Sequence, residues 1–294
     1  MIIWLASYPR SGNTLLRTIL KHCFDICSYA DEPIHYESEF KTNPNLIGHI
    51  EMKGQWDDFY EHTKNSQETV FIKTHLPPKD NQPFIYIVRD GRSAVKSYKK
   101  FYQDFTPLRG MVDLIIGNDA YGNWSDHYYL WNDREKIRSM SLRFEDIVDI
   151  DMKTLLKIAN FIGFKGEIRK WVNPRDELKK IEPGFFNKGS QVFEPDGNWS
   201  ASNEYLFYRL HGELMQKFGY YNSEFIMPES GSVFKGAEPL IDDLIKIIRS
   251  LLEKNAELAS TCKERLDLID RLQKICVERL DLIGRLHRTL AAND

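Results

Sequence analysis

The chain has 294 residues, 42% of them hydrophobic and 13% aromatic, enough to bury one sizeable core with an appendage to spare, so a globular fold is the expectation. A net charge of −3 gives no bulk attraction for nucleic acid, and any anion site has to be built locally. The four cysteines lack the spacing of a zinc module or a secreted disulfide framework, and no basic leader or run of about 18 apolar residues is present, so we expect a cytoplasmic protein without a membrane span.

The apolar run Ile2–Ser7 reads as a first strand, closed by ASYPRSGNT (6–14). Leu15, Leu16, Ile19, Leu20 and Cys23 follow at helical spacing. A strand-to-helix turn exposes unpaired N–H groups at the positive end of the helix dipole, so RSGNT suits a phosphate, with Arg10 supplying the formal charge. The plain alternative is a βα turn capped by Ser11 or Asn13. A Walker loop is excluded, because the second glycine and the closing Gly-Lys-Ser/Thr are missing.

Thr69–Lys73 reads as the next strand and runs into KTHLPP. Lys73 and His75, two apart, share a face. A histidine takes a proton from a nucleophile near neutral pH, and a lysine beside it neutralises charge on a leaving group; the plain alternative is a surface histidine. Phe84–Val88 ends in RDGR, and Ala94, Val95, Tyr98, Phe101 and Phe105 then repeat at helical spacing. Arg89 at the strand end and Ser97 in the helix suit a second phosphate. Their alternative is an Arg89–Asp90 surface arrangement and a solvent-facing serine.

In GNWSDHYYLW (122–131), His127 reads as a packed residue of an aromatic cluster rather than an acceptor contact. Ser139–Phe144 is the fourth predicted strand, with Glu145 and Asp146 as acids at the start of a helix. Tyr36, Phe59, Tyr60, Phe101, Tyr102 and Phe105 line an acceptor pocket or belong to the core. Strands alternating with helices predict an open α/β sheet, whose ligands bind beyond the carboxyl ends of the strands. SYPRSGNT, KTH and RDGR all stand at such ends.

Residues 226–239 read as a Pro/Gly/Ser linker after a domain of 1–225. In the segment 240–290, CKERLDLIDRLQKI is followed by CVERLDLIGRLHRT, a repeat of two heptads' length. Ile248, Cys262, Ile269, Cys276, Ile283 and Leu290 hold one heptad position, while Leu258, Leu272 and Leu286 alternate with Arg265 and Arg279 at the other. A helical, coiled-coil-like tail for homo-oligomerisation or docking is predicted.

Together the motifs resemble the sulfotransferase family that uses 3′-phosphoadenosine 5′-phosphosulfate. YPRSGNT is similar to that family's 5′-phosphosulfate loop, KTHLP to the strand with its catalytic histidine, and IVRDGRSAVKS to its 3′-phosphate motif; GNWSDHYYLW, LRFEDI and FFNKGS extend the resemblance to about residue 222. It implies a P-loop-like three-layer α/β sandwich with a central, mainly parallel sheet. It also implies that Arg10, Ser11, Gly12, Asn13 and Thr14 wrap the 5′-phosphosulfate and that Arg89, Ser97, Lys188 and Gly189 hold the 3′-phosphate. Phe144 stands where the cytosolic animal enzymes have a tyrosine, Leu15 where they have a tryptophan on the adenine, and Asn187 where an arginine is common, so Arg92 or Lys96 is a candidate further phosphate contact. His75 is then the general base, with Lys73 and Arg10 stabilising charge as the sulfuryl group moves, without a metal, to a hydroxyl or amine of a small-molecule or glycan acceptor. The competing readings are a nucleotide kinase, for which the loop has no Walker lysine, and a non-catalytic scaffold acting through the tail.

Overall fold

The computed structural model describes residues 1–31, 44–102, 110–181, 192–221 and 238–291. The chain divides into two compact units, Met1–Ser230 and Gly231–Asp294. Lys188, Gly189, Asn187, Tyr36, Phe105 and most of the predicted linker lie outside the described residues.

The first unit is built on a five-stranded, fully parallel sheet in which β1 (Ile2–Ser7), β2 (Ser28–Ala30), β3 (Val70–Thr74), β4 (Phe84–Val88) and β5 (Ser139–Arg143) lie in the order β2-β3-β1-β4-β5. Its central strands read as continuous apolar runs because both faces are covered. Side chains alternate between the faces, so Ile2, Trp4 and Ala6 join Tyr86 and Val88 on one side, while Ile3 and Leu5 join Ile85 and Ile87 on the other. Helix α1 (Asn13–Phe24) buries Leu16, Ile19 and Leu20 in the second core.

The short α2 (Pro44–Ile47) and α3 (Trp56–Asn65) precede β3, and α4 (Gly91–Tyr102), after β4, buries Ala94, Val95 and Tyr98 in the first core. The helices that follow β1 and β4 therefore leave on opposite faces. This is the switch point at which open α/β sheets bind ligands, and three layers result. The remaining helices are α5 (Met111–Ile116), α6 (Trp124–Asn132), α7 (Phe144–Ile147), α8 (Met152–Ile162), α9 (Arg175–Ile181) and α10 (Ala201–Lys217). Side-chain caps at Asn123, Asp151 and Ser200 start α6, α8 and α10.

The described residues of the second unit form one helix, α11 (Glu238–Ala291), 54 residues long. It begins just before the predicted tail and carries exposed Leu258, Ile269 and Leu272. No described helix is long and apolar enough to cross a membrane. All four cysteines are free, Cys23 buried and Cys262 and Cys276 exposed.

Candidate functional site

Parallel pairing sets the carboxyl ends of β3 and β4 on either side of β1, and this brings the three polar clusters together. In the loop after β1, Arg10 has φ 63° and Gly12 φ 105°, so left-handed residues flank Ser11. Such alternation turns backbone N–H groups into one concavity, the geometry of an anion nest. Gly12 is the N-cap of α1 and makes no side-chain cap, and the first turn holds no acid, so the positive end of the helix is left for a ligand. The Ser11 hydroxyl is buried and has no hydrogen-bond partner among the described residues.

The plain alternative of a turn capped by Ser11 or Asn13 is not what forms, since Gly12 takes the N-cap without a side-chain bond. Asn13 instead donates from Nδ2 to the Leu5 carbonyl at 2.7 Å and to Ser7 Oγ at 3.2 Å, pinning the loop to its own strand. Gly12 has a second role, since a Cβ there would come within 2.4 Å of the Phe144 ring. A Gly12→Ala variant is expected to lose about 1–3 kcal/mol of stability, because the residue is forced into a left-handed conformation and the ring has to move. Thermal unfolding checks the loss.

Arg89 closes the other side of the concavity. Its Nη1 donates to the Arg10 carbonyl at 3.0 Å, and its guanidinium lies 4.5 Å over the Phe144 ring. Arg10 answers by donating from Nε to Ser97 Oγ at 3.2 Å, with its guanidinium 4.6 Å from the centre of Phe101. The two predicted phosphate motifs are thus cross-braced. Arg89 Nε is buried and, among the described residues, without a partner. Burial pulls the Arg89 guanidinium pKa down, partly opposed by Glu145 and Asp90, which marks a cation short of negative charge.

The alternative of an Arg89–Asp90 surface arrangement does not form, and Asp90 has a different partner. Asp90 is held by Arg92 at 2.7 Å, and Arg92 also reaches Glu204 at 3.2 Å, which accepts from Trp199 and Tyr221. Lys96 is bound to Asp196 at 2.7 Å and to the Glu194 carbonyl. Arg92 and Lys96 are therefore engaged in structural pairs. Glu145, which the sequence suggested only as a helix-terminal acid, accepts from the Asp90 N–H at 3.2 Å and from the Tyr220 hydroxyl at 2.8 Å. Burial and that carboxylate push the Tyr220 phenol pKa far up, so it stays a donor.

His75 stands directly after β3, and its Nδ1 lies 2.7 Å from the Ser7 carbonyl. A carbonyl oxygen only accepts, so the neutral ring carries its proton on Nδ1 and its lone pair on Nε2. Tyr121, half-buried, meets this ring edge-on at 6.0 Å. Lys73, one residue before the end of the same strand, is buried. His127 is buried as expected, against Tyr8 and Tyr86. Together these groups set a concavity of backbone N–H groups, two arginines and a hydroxyl at the ends of β1 and β4, chemistry able to bind anions, with a histidine at the neighbouring strand end.

A family model described as "Sulfotransferase domain" matches residues 2–181. Sulfotransferase 1B1 of Mus musculus is 28% identical over 176 residues, covering 54% of this chain and 58% of the relative. Sulfotransferase 1E1 of Mus musculus is 24% identical over 182 residues, covering 55% and 58%. The chain thus spans less than two thirds of these curated relatives. The solved structure of mouse sulfotransferase SULT7A1 complexed with PAP overlaps at a TM-score of 0.47 with 21% identity, covering 75% of this chain and 89% of that one.

Proposed function

The chain belongs to the sulfotransferase-domain family, and from that premise we propose that it transfers the sulfuryl group of 3′-phosphoadenosine 5′-phosphosulfate to a hydroxyl or amine of a small-molecule or glycan acceptor. One observation carries the reading. The uncapped, left-handed loop with its orphaned Ser11 hydroxyl is fastened by Arg89 to the cluster at the end of β4, which supports two neighbouring anion sites at the ends of β1 and β4.

The residues fit the donor. Arg10 to Thr14 hold its 5′-phosphosulfate, and Arg89 and Ser97 its 3′-phosphate, a role that Lys188 and Gly189 share. Phe144, packed on Gly12 and under Arg89, keeps both in place and borders the nucleoside. The donor supplies the sulfuryl group and its 5′-phosphate as leaving group. His75 Nε2 takes the proton of the acceptor as the new sulfur–oxygen or sulfur–nitrogen bond forms and the bond from sulfur to the bridging phosphate oxygen breaks. Lys73 and Arg10 are the cations for the charge that gathers on that oxygen, which is why no metal is assigned a role. Positioning and fixed charge are the expected sources of rate, as in phosphoryl transfer.

The half-buried Tyr121 beside His75 supports an acceptor bearing a ring, which it can stack against. Free thiols support a reducing, cytoplasmic setting. The heptad pattern and exposed Leu258, Ile269 and Leu272 support homo-oligomerisation or docking through 240–290.

Thermal unfolding with adenosine 3′,5′-bisphosphate, a chelator being present throughout, is the test. A ligand that binds only the native state at about 100 times its Kd adds about 2.7 kcal/mol, a rise of roughly 5–10 °C for a unit of this size. A rise with ATP and magnesium alone would overturn the reading in favour of a kinase, and no rise with either would favour a scaffold.

A further inference from the structure

The base is gripped from behind by a helix that the proposed transfer does not use. His75 lies one residue past Thr74, the last residue of β3 in register with β1, so the ladder no longer fixes its carbonyl. Helix α6 fixes it instead. His127 Nε2 lies 2.8 Å from the His75 carbonyl, and Trp131 Nε1 donates to the next carbonyl, that of Leu76, at 3.1 Å. Residues four apart on a helix share a face, so one face of α6 holds two successive carbonyls of the strand extension.

Chemistry assigns every proton in this arrangement. The His75 carbonyl only accepts, so His127 carries its proton on Nε2 and its lone pair on Nδ1. Tyr86 Oη lies 2.9 Å from that Nδ1 and is therefore the donor. Tyr86 is buried, burial drives its phenol pKa well up, and its oxygen is hydrogen-bonded in turn by the backbone of Tyr8. Tyr8 follows Ser7, whose carbonyl receives the His75 Nδ1 proton. The bonds close a ring from the phosphate loop through β4 and α6 to the base and back to β1.

We propose that His127 is a positioning residue for the general base: its Nε2–H holds the His75 carbonyl so that the His75 ring stays bonded through Nδ1 to Ser7 and presents Nε2. Its catalytic meaning rests on the reading of His75 as the base. Without His127, the part-buried His75 carbonyl loses this donor and the extension is less held, which loosens the Nδ1 bond and admits the other tautomer. Gln at 127 restores the clamp, since its amide reaches the place of Nε2, whereas Asn falls short of it.

The test is the imidazole nitrogen spectrum of the protein labelled with ¹⁵N at its 8 histidines, with His75 identified by the signals lost in His75→Gln. The parent is expected to show His75 protonated on Nδ1 and bare on Nε2, His127→Phe to show both tautomers, and His127→Gln to restore the parent pattern. Should His127→Phe not fold, His127→Asn carries the same expectation. A parent His75 protonated on Nε2, or an unchanged His75 pattern in a folded Phe or Asn variant, would overturn the proposal. Failure of the parent to bind the bisphosphate would instead overturn the transfer reading, and with it the catalytic meaning of the clamp, but not the tautomer result, so the two failures are distinguishable.

Discussion

His75→Ala is expected to lower turnover by roughly 10²–10⁴-fold while adenosine 3′,5′-bisphosphate still raises the unfolding midpoint of the variant as it does that of the parent. The separation follows from the layout. His75 stands at the end of β3, whereas the nest at Arg10 to Gly12 and the Arg89–Ser97 grip stand at the ends of β1 and β4. Alanine removes the Nδ1 bond to the Ser7 carbonyl, but Asn13 still pins Ser7 Oγ and the Leu5 carbonyl, so the loop keeps its shape. The parent should lose rate in acid, because a protonated ring cannot accept the acceptor's proton, and the variant should lose that dependence. Equal turnover in parent and variant, measured with any acceptor that supports transfer, would remove His75 from the role of base.

Much of the scaffold was legible because buried parallel strands announce themselves as apolar runs. The structure has β1 and β4 at the bounds read from Ile2–Ser7 and Phe84–Val88. The third strand is shifted by one residue, running Val70–Thr74 where Thr69–Lys73 was expected, because Thr74 still pairs with Ala6. Phe144 passes from the predicted end of a strand to the start of α7, with Arg143 as its N-cap. The three-residue β2 is too short to show a period of two.

Site residues were readable as types at strand ends, but their pairing was not. The bond from Arg89 to the Arg10 carbonyl spans 79 positions and that from Arg10 to Ser97 spans 87, and no local rule reports on either. Local rules also misled. A hydroxyl before a helix looks like a cap, yet Gly12 takes the N-cap and the Ser11 hydroxyl is buried without a partner among the described residues. Adjacent Arg89 and Asp90 look like a pair, yet Arg92, two residues beyond Asp90, takes the carboxylate with Nε at 3.1 Å and Nη2 at 2.7 Å, so that Arg89 has no ion pair among the described residues. Glu145 was explained by the helix dipole, and that explanation hid its role in holding the Asp90 N–H and Tyr220.

Arg89→Met is expected to hold or raise the unfolding midpoint of the ligand-free protein while weakening the bisphosphate by roughly 10–150-fold, the range of a single charge-assisted hydrogen bond of about 1.5–3 kcal/mol. Among the described residues Arg89 has no ion pair, its Nε has no acceptor, and burial has lowered its pKa. A cation so placed costs the empty protein free energy, and an apolar chain of similar length packs on Phe144 without that cost. What the substitution gives up is the bond to the Arg10 carbonyl and the charge that an incoming phosphate would neutralise. Arg89→Lys separates the two losses. It keeps the charge but offers no planar fork, so it cannot hold the Arg10 carbonyl and a phosphate together, and its affinity should fall between parent and methionine variant. The measurement is a calorimetric titration with the bisphosphate beside the ligand-free midpoint. A methionine variant that unfolds several degrees earlier and binds as well as the parent would make Arg89 a structural brace and take the second phosphate away from the end of β4.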